Sequence, residues 1–571
     1  MKSIGTLLIP VIFGLAAGSS AVQSSKPNIL FIAVDDLRPE LGCYGEEKIK
    51  SPNIDRLAER GTLFEEAYCQ VPVCGASRAS LLTGLYPTES RFVTYYTTAQ
   101  ADAAGIPDIP TWFKTHGYTT ISNGKIYHDR NDNTDSWDDL FRGKDFKVYH
   151  KPENIALPES EQPPFEDADV GDMDYACGPV LEKTLNDLRR AKEAGTPFFI
   201  AAGFTKPHLP FNAPKKYWDL YDHDKIQLAD NPFVPEGAPQ EAIHNWGELR
   251  TMYGGIPQEG PVSDELARTL IHGYYACVSY TDAMVGKLLE ELDRLELRDN
   301  TVIVLWGDHG WQLGEHSLWC KHALFKTSLN APLIISAPGC KPGQRSGSMV
   351  EFVDIYPTLC ELAGIELPSH LQGESLTPLL HNPSVSLKDA VFSRYHSGDA
   401  VVMGRYLYAE WTGGARMLYD HSRDPNENVN VVNNPEYSDV VKKIERRLQG
   451  HRAELLEREP AIRAAAGIKA SENSPPSWKK RTAKLKEAVV DQPYFAYINW
   501  LASDADEDRL TYAMVSGPEW LSLVNAEYGR LEGTPSAGDL GGNAFIMSVS
   551  DGINPPVQVR IEVDVMSSPN S

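Results

Sequence analysis

The chain has 571 residues, more than one hydrophobic core usually holds, so its length predicts one large domain with a smaller module attached. Its formal net charge is −24 at pH 7, which argues against sequence-independent nucleic-acid binding because that requires a basic surface. The composition, 42% hydrophobic and 23% charged, is that of an ordinary globular protein. An anionic substrate is compatible with this charge only if the pocket that binds it is locally basic.

Residues 1–21 are predicted to be a signal peptide. Lys2 gives a positive start, the run IGTLLIPVIFGLAAG is apolar but too short to span a bilayer well, and SSA ending at Ala21 fits a cleavage site. No second apolar run of membrane-spanning length follows. We therefore expect an exported protein, periplasmic or secreted, without a transmembrane segment in its mature form.

Buried strands and helices alternate through the first two thirds of the chain. The segment SPNIDRLAERG predicts a helix with Ser51 as its N-cap, Pro52 at the first helical position and Gly61 as its stop. A second helical periodicity covers ELARTLIHGYYACVSYTDAMVGKLLEELDRLEL. The alternation predicts an α/β domain with a mostly parallel sheet. The predicted buried strands are Asn28–Val34, Thr196–Phe204, Thr301–Gly310 and Ala331–Gly339.

The pattern changes from about Asp389. Short antiparallel strand patterns and a helix across SDVVKKIERRLQGHRAELLERE predict a smaller α+β subdomain. A polar, basic, Pro-containing linker follows, and the rest has only strand and turn patterns, as in a small β-sandwich. The predicted organisation is a signal peptide (1–21), an α/β domain (22–385), an α+β subdomain (386–469), a linker (470–487) and an all-β module (488–571).

Two predicted strands end in carboxylates. Asp35 and Asp36 follow the first strand, and Asp308, with His309 after it, lies at the end of the third. Ligands of open α/β sheets gather at the carboxyl ends of strands, and acidic groups clustered there repel one another unless a cation lies between them. Hard oxygen ligands favour Ca²⁺ or Mg²⁺ over zinc. We predict a metal site here, although any one aspartate alone could be a helix cap.

Three pairs of basic residues follow apolar stretches, as the aspartates do. Each member, taken alone, is ordinarily a solvated lysine or a structural histidine. Several cations that converge on a carboxylate-bound metal suggest instead a site for a tetrahedral oxyanion, either phosphate or sulfate. The pairs are Lys125 with His128, Lys206 with His208, and Lys321 with His322.

The stretch QVPVCGASRASLLTGLYP, Gln70–Pro87, places Cys74 just before a serine and an arginine at the start of a helix. These residues alone leave three interpretations open: half of a disulfide, a thiol nucleophile, or a residue awaiting chemical conversion. The spacing of the eight cysteines gives no metal knuckle and no disulfide framework, so a buried apolar role is the alternative for each.

The segment VCGASRASLLTGLYP resembles the sulfatase signature, C-x-P-S-R followed by x-x-L-L-T-G. Together with DDLRPELGCYG, GKIYH, KPHLPF and GDHGWQLGEHSLWCKH, it resembles the iduronate-2-sulfatase branch, and the similarity extends over roughly Lys26 to Glu436. The resemblance implies an alkaline-phosphatase-like α/β fold, a calcium-dependent sulfuric ester hydrolase, and a sulfated oligo- or polysaccharide substrate, of which a 2-O-sulfated uronate is one candidate.

The resemblance also supplies a chemistry for Cys74. In sulfatases this cysteine is oxidised by a formylglycine-generating or an anaerobic sulfatase-maturating enzyme to 3-oxoalanine (formylglycine), an aldehyde that hydrates to a gem-diol. One hydroxyl attacks sulfur, and deprotonation of the other then expels sulfate. A thiolate or a serine would instead leave a stable covalent intermediate.

The resemblance assigns roles position by position. The calcium ligands would be Asp35, Asp36, Asp308 and the converted Cys74, with His309 as a further ligand or a hydrogen-bond donor to sulfate, because Ca²⁺ prefers oxygen. The resemblance implies that Arg78 would hold the aldehyde hydrate, and that Lys125 and Lys321 would neutralise sulfate oxygens. It also implies that His128 would assist deprotonation of the hydrate and that His208 would protonate the departing alcohol. The sequence alone does not show which of these two histidines has which role.

One departure from the signature is Ala76, where the family usually has proline. Maturation enzymes read this segment while it is extended, and proline favours an extended preceding residue. Alanine either weakens conversion or points to a different maturation system. The cysteine and the arginine of the signature are kept, which favours an active enzyme.

The C-terminal module resembles bacterial cadherin-like, immunoglobulin-type domains in DADEDRLTYAMVSGPEWLSL, GRLEGTPSAGDLGG and SVSDG. Its alternating Asp504, Asp506 and Asp508 form either a calcium site or an acidic solvated turn. Two alternatives to a sulfatase stay open: a phosphomonoesterase or phosphodiesterase of the alkaline phosphatase superfamily, and a non-catalytic glycan-binding protein.

Overall fold

The order of strands and helices follows from alternating apolar runs and amphipathic segments. The computed structural model describes residues 26–143, 147–467, 474–480, 482–504, 510–526, 529–552 and 554–567. The predicted signal peptide lies outside these residues, and so do Asp506 and Asp508.

The first two thirds of the chain contain twelve strands and twelve α-helices within the described residues. The strands are β1 (Asn28–Val34), β2 (Thr62–Tyr68), β3 (Thr119–Gly124), β4 (Asp139–Phe141), β5 (Phe165–Glu166), β6 (Phe198–Phe204), β7 (Phe211–Asn212), β8 (Thr301–Gly307), β9 (Gln312–Leu313), β10 (Trp319–Cys320), β11 (Leu333–Ser336) and β12 (Gln344–Glu351). The helices are α1 (Pro52–Ala58), α2 (Cys74–Thr83), α3 (Ala99–Asp102), α4 (Ile109–Thr115), α5 (Pro152–Ile155), α6 (Cys177–Ala194), α7 (Lys215–Trp218), α8 (Gly247–Met252), α9 (Asp264–Arg294), α10 (Lys326–Leu329), α11 (Ile355–Ala363) and α12 (Thr377–His381).

The remainder is richer in strands. A first group is β13 (Val391–Tyr395), β14 (Gly398–Met403), β15 (Tyr406–Trp411) and β16 (Arg416–Asp420), followed by helix α13 (Ser438–Ala465). The second group is β17 (Ser477–Trp478), β18 (Thr482–Lys484), β19 (Ala488–Val489), β20 (Tyr494–Tyr497), β21 (Ala502–Ser503), β22 (Thr511–Ser516), β23 (Leu521–Asn525), β24 (Arg530–Gly533), β25 (Gly541–Ser550) and β26 (Val557–Met566).

An eight-stranded sheet forms the core of the large domain, in the order β12-β2-β11-β8-β1-β6-β3-β4. Strand β1 lies between β6 and β8 and is parallel to both, and all seven of its residues are buried because both faces of the sheet are covered. Only β11 among these strands runs antiparallel to its neighbours β8 and β2. The predicted mostly parallel α/β sheet is therefore confirmed.

The parallel pairing fixes where the functional residues meet. Val34 at the end of β1 lies opposite Phe204 of β6 and Gly307 of β8, and Gly124 of β3 lies opposite Gly203 of β6. The residues that follow these four strands therefore emerge at one edge of the sheet. The predicted third strand ends at Gly307, three residues early, which frees the following Asp-His pair to turn into this edge.

Helix α1 begins at Pro52 as predicted, but its cap is not the predicted one. The Ser51 hydroxyl donates to Asp55 Oδ1 at 3.1 Å, and its side chain caps no helical amide. Asp282 of α9 accepts instead from the backbone amides of Asn53 at 2.9 Å and Ile54 at 2.8 Å. The carboxylate of Asp282, distant in the sequence, thus replaces Ser51 as the acceptor for the first amides of α1. A local sequence pattern could not indicate this contact.

Replacing Asp282 with alanine is expected to lower the free energy of unfolding by about 2–4 kcal/mol, because two amides at the start of α1 lose a buried acceptor. Chemical denaturation followed by tryptophan fluorescence measures the change. Glu290→Ala is the control, since this residue is on the same helix and its side chain is 69% exposed. Equal midpoints for the two variants would contradict the capping role.

The two C-terminal groups of strands have separate apolar cores. Strands β13 to β16 form an antiparallel meander, and its Val401 and Tyr408 share a cluster with Ile444 of α13. In the last module, the sheet β18-β26-β25-β22 and the sheet β20-β24-β23 contribute to one cluster, as in a sandwich. The predicted boundary at residue 487 stays a prediction, and β17 and β18 lie before it. No helix within the described ranges is both long enough and apolar enough to cross a membrane.

Candidate active site

Three aspartates meet at the carboxyl edge of the central sheet. Asp35, Asp36 and Asp308 are fully buried, and each offers a carboxylate oxygen within 4.8 Å of the others. The backbone amide of Asp36 donates to Asp308 Oδ1 at 3.0 Å. Asp36 has a left-handed φ of 58°, which turns the chain sharply after β1 and lets two consecutive carboxylates face the same site. Three buried acids in contact require cations around them.

Arg78 on α2 is one of these cations. Its Nη2 donates to Asp35 Oδ1 at 3.0 Å, and its Nε donates to Asp308 Oδ2 at 2.8 Å. Its Nη1 donates to the carbonyl oxygens of Lys125 at 2.6 Å and Ile126 at 3.0 Å. The guanidinium thus holds the ends of three strands together. The four-residue spacing between Cys74 and Arg78 places both on the side of α2 that faces the sheet edge.

Two lysines add further positive charge to the cluster. Lys125 Nζ lies 2.5 Å from Asp35 Oδ2, and Lys321 Nζ lies 3.1 Å from Asp36 Oδ1. Burial opposes ionisation of Asp35, but Lys125 and Arg78 hold its pKa well below the ordinary value. Burial raises the pKa of Asp36, and Lys321 offsets this only in part. The charged form of Asp36 is therefore less stable than that of Asp35.

Cys74 is the first residue of α2 and points at this cluster. Its side chain is buried, with Sγ 3.2 Å from His309 Nε2 and 3.8 Å from Asp36 Oδ1. Burial raises the pKa of the thiol well above its usual range despite the nearby Lys125 and Lys321. All eight cysteines belong to the described residues and are free. The disulfide interpretation is therefore wrong, and a thiolate nucleophile at neutral pH is disfavoured.

Close packing fixes the start of α2. All ten of its residues are buried, and the Ser77 hydroxyl donates to the Asp308 carbonyl at 2.5 Å. A side chain at Gly75 would collide with the carbonyl of Tyr95, so this position requires glycine. Ala76 lies in the first helical turn, where an amide has no acceptor within the helix, so hydrogen bonding would permit proline. The fold therefore gives no hydrogen-bonding reason for alanine at this position.

His309 faces the cluster through one nitrogen. Its Nδ1 lies 2.9 Å from the Gly310 carbonyl, which assigns the proton of a neutral ring to Nδ1. Nε2 then points into the cluster, 3.5 Å from Asp36 Oδ1 and 3.7 Å from Asp308 Oδ1. This arrangement suits either a metal ligand or an acceptor in the site.

The two remaining candidate histidines have opposite electrostatic environments. Burial and the nearby Lys125 lower the pKa of His128 to about 3, so its ring is neutral. Burial also lowers the pKa of His208, but Asp36 and Glu248 more than offset it and the net pKa is raised. His208 Nε2 lies 3.9 Å from Asp36 Oδ2. The pKa of His128 is thus lowered and that of His208 is raised, a difference that the sequence does not indicate.

Two of the other predicted basic residues have different surroundings. Lys206 donates to the carbonyl of His208 at 2.9 Å and to that of Pro210, so it supports the loop that carries His208. The ring of His322 packs near Tyr395, with centroids 5.9 Å apart, and burial holds its pKa well below the ordinary value. The remaining predicted site residues are brought together at one sheet edge: Asp35, Asp36, Cys74, Arg78, Lys125, His128, His208, Asp308, His309 and Lys321.

Glu248 is a site residue that the sequence analysis missed. Its Oε1 lies 3.0 Å from His208 Nε2, and its Oε2 lies 3.0 Å from Lys321 Nζ. Burial opposes its ionisation, but Lys321 and His208 hold its pKa well below the ordinary value. It lies on the short helix α8, in a segment without a recognisable motif, so no sequence signal marked it.

Comparisons with known proteins agree on one family. The Sulfatase family model matches residues 27–365, and the C-terminal model of N-sulphoglucosamine sulphohydrolase matches residues 314–454. Human iduronate 2-sulfatase is 35% identical over 409 residues, which cover 64% of this chain and 74% of that protein.

Solved structures show the same fold at low identity. A structure in complex with its substrate D-glucosamine-2-N,6-O-disulfate gives a TM-score of 0.64 at 23% identity and covers 76% of this chain and 99% of that one. The phosphonate monoester hydrolase of Agrobacterium radiobacter also gives 0.64 at 23% identity, with 75% and 96% of the two chains covered. At this identity the two structures support the alkaline-phosphatase-like fold and do not distinguish sulfate from phosphorus chemistry.

Proposed function

We propose that this chain, which belongs to the sulfatase family and is thus a sulfuric ester hydrolase, removes O-sulfate groups from a sulfated glycan. The observation that carries the proposal is the position of Cys74 Sγ, 3.8 Å from Asp36 Oδ1 in a buried cluster of three carboxylates with two lysines and an arginine. The relationship to iduronate 2-sulfatase favours a 2-O-sulfated uronate as the substrate.

The acidic cluster fits a calcium ion. Asp35, Asp36 and Asp308 offer hard oxygen donors that lie close together and are buried, and Asp36 is poorly neutralised by the protein alone. His309 Nε2 and the modified side chain at position 74 would complete the ligand set. When bound, calcium would neutralise the carboxylates and polarise the oxygens of a bound sulfate.

Formylglycine at position 74 would supply a hydrated aldehyde as the nucleophile. The raised pKa of the Cys74 thiol supports this over direct attack by sulfur. Arg78, bonded to two carboxylates and two carbonyls, would hold α2 so that position 74 faces the sulfate. A formylglycine-generating or anaerobic sulfatase-maturating enzyme is the partner that this chemistry requires.

The lysines would bind the sulfate group, and the histidines would transfer protons. Lys125 and Lys321 are buried ammonium groups at the site and would bind the anionic oxygens of sulfate. His128 is neutral and its buried Nδ1 has no hydrogen-bond partner among the described residues, so it would accept a proton from the hydrate. The raised pKa of His208 suits donation of a proton to the departing alcohol.

We expect kcat/KM for 4-nitrophenyl sulfate to exceed that for 4-nitrophenyl phosphate by at least about 100-fold, because the chain belongs to a family of sulfuric ester hydrolases. Matured protein purified with calcium is the sample, and released 4-nitrophenol is the readout. A preference for the phosphate ester would support the phosphomonoesterase or phosphodiesterase alternative. Glycan binding without sulfate release from a fully matured sample would support a non-catalytic protein, and a panel of sulfated oligosaccharides identifies the sugar.

The predicted organisation completes the proposal. Export through the signal peptide (1–21) would place the catalytic domain (22–385) and its α+β subdomain (386–469) where sulfated polysaccharides occur. The linker (470–487) and the β-sandwich (488–571), in which we infer a cadherin-like, immunoglobulin-type module, would tether or space the enzyme. The separate apolar core of the sandwich supports a module that is distinct from the catalytic domain.

A further inference from the structure

Glu248 bridges the two groups that face the ester oxygens in the proposed mechanism. One carboxylate oxygen lies 3.0 Å from His208 Nε2 and the other lies 3.0 Å from Lys321 Nζ. We propose that Glu248 is a positioning residue, which orients the His208 ring for proton donation to the leaving alcohol and fixes the Lys321 ammonium beside it. This inference rests on the proposed function, because it assumes cleavage of an ester with an alcohol leaving group.

The backbone that carries Glu248 is held firmly. Helix α8 follows Trp246, whose indole Nε1 donates to the Ser317 carbonyl at 2.8 Å, in the turn that precedes β10 and Lys321. The Arg250 guanidinium stacks on the Trp246 ring at 3.8 Å and donates to the carbonyls of Asn245 at 2.9 Å and Gly260 at 2.6 Å. Such a short helix would fray without these contacts. The backbone from which the Glu248 carboxylate extends is therefore held in one position.

The geometry of His208 requires a partner at Nε2. Its Nδ1 lies 2.6 Å from the Leu209 carbonyl, so the ring is anchored on that side by its own loop. Among the described residues, Glu248 lies closer to Nε2 than Asp36, whose Oδ2 is 3.9 Å away. With one acceptor at each nitrogen, rotation of the ring about χ2 is blocked. The Nε2 proton would be shared between Glu248 and the ester oxygen and would pass to the departing alcohol, which leaves a neutral ring with its Nδ1 proton hydrogen-bonded to the Leu209 carbonyl and Glu248 as a carboxylate. Loss of Glu248 would leave the donating nitrogen without a defined direction.

Lys321 is constrained in the same way. Its ammonium group donates to both oxygens of Asp36 at 3.1 and 3.2 Å and to Glu248. A flexible four-carbon side chain needs such contacts to hold one position, because its rotamer entropy is large. The same carboxylate thereby sets the distance between the proton donor and the sulfate-binding cation.

A positioning role and a purely structural role predict different substrate dependences. A proton donor matters most for a poor leaving group, where general acid catalysis contributes about 10²–10⁴-fold, and little for an acidic phenol. A structural defect would lower the rates of both kinds of ester equally. The ratio of the two rates is therefore the informative quantity.

The test compares 4-methoxyphenyl sulfate with 4-nitrophenyl sulfate, which differ mainly in the acidity of the phenol released. Glu248→Gln is expected to lower kcat/KM about 10²-fold for the methoxy ester and less than about 5-fold for the nitro ester. Glu265→Gln is the matched control, because this glutamate also pairs with a histidine, His223 at 3.1 Å, and its side chain is 77% exposed. Neither rate should change in the control.

A double-mutant cycle with His208→Ala strengthens the test. Glu248→Gln should have little further effect on the methoxy ester once the histidine is gone, because both changes remove the same contribution. If Glu248→Gln folds poorly, Glu248→Asp keeps the charge and should show the same selective loss. Equal losses on both esters, or additive losses in the cycle, would overturn the inference. Failure of the wild type to hydrolyse sulfate while it hydrolyses the matching phosphates would instead contradict the proposed function, and the same comparison then runs on phosphates.

Discussion

Cys74→Ala is expected to lower kcat/KM for an aryl sulfate by at least about 10⁴-fold, because it removes the side chain that would supply the nucleophile in the proposed mechanism. Folding should change little: the loss of one buried sulfur atom costs about 1 kcal/mol, and the backbone hydrogen bonds of α2 do not depend on it. The rate of phenol release and the thermal midpoint are measured on the same preparation. Mass spectrometry of the peptide around residue 74 in the wild type reports how much aldehyde is present.

Cys69→Ala is the matched control for this prediction. Cys69 is also buried, only five residues away, and its Sγ lies 3.8 Å from the Ser328 carbonyl, outside the acidic cluster. The control should retain near wild-type turnover with a comparable small loss of stability. Substantial activity in Cys74→Ala, or a wild type that is active with only an unmodified thiol, would refute the formylglycine mechanism.

Asp36→Asn is expected to abolish the stabilisation that the proposed calcium ion would confer and to reduce turnover by at least about 10³-fold. A ligand at 100 times its dissociation constant stabilises the native state by about 2.7 kcal/mol, and the variant should lose this increment. Without calcium, the variant should be as stable as the wild type or more stable. The reason is that burial raises the pKa of Asp36, so its charge is unfavourable in the metal-free protein.

The substitution suits the local structure in two respects. Asparagine tolerates the left-handed φ of 58° at this position, and Lys321 keeps Glu248 as a partner. Thermal unfolding with and without millimolar calcium measures both the stability of the metal-free protein and the increase in stability that calcium causes. Asp439→Asn, at a fully exposed side chain, makes the same change in charge and should respond to calcium as the wild type does. An undiminished calcium response in Asp36→Asn would show that the ion binds elsewhere.

The sequence located much of the site because its geometry is a property of parallel sheets. Asp35, Asp308 and Lys125 each follow a strand, and parallel strands bring their carboxyl ends to one edge, so proximity follows from the pattern alone. Cys74 and Arg78 were found by their motif, and the helix spacing explains why both reach the same cluster. The roles of these residues remain proposals that the variants above test.

What the sequence could not predict depends on long-range contacts and on burial. Glu248 lies in a segment with no motif and reaches the site only through the anchoring of α8. Asp282 caps α1 from another helix, more than two hundred residues away. The distinction between His128 and His208 comes from their opposite electrostatic surroundings, and a spacing pattern carries no information on that.

The burial of α2 limits when another enzyme could reach Cys74. Cys74 is 2% exposed and Ala76 is fully covered, so a second enzyme has no access to them once the domain has folded. Under the proposed mechanism, oxidation of Cys74 would therefore compete in time with folding. A chain that folds before it is oxidised would keep the thiol until it unfolds again. The active fraction of a preparation would then report the ratio of the rates of oxidation and folding, and slower folding in the producing cell would raise it.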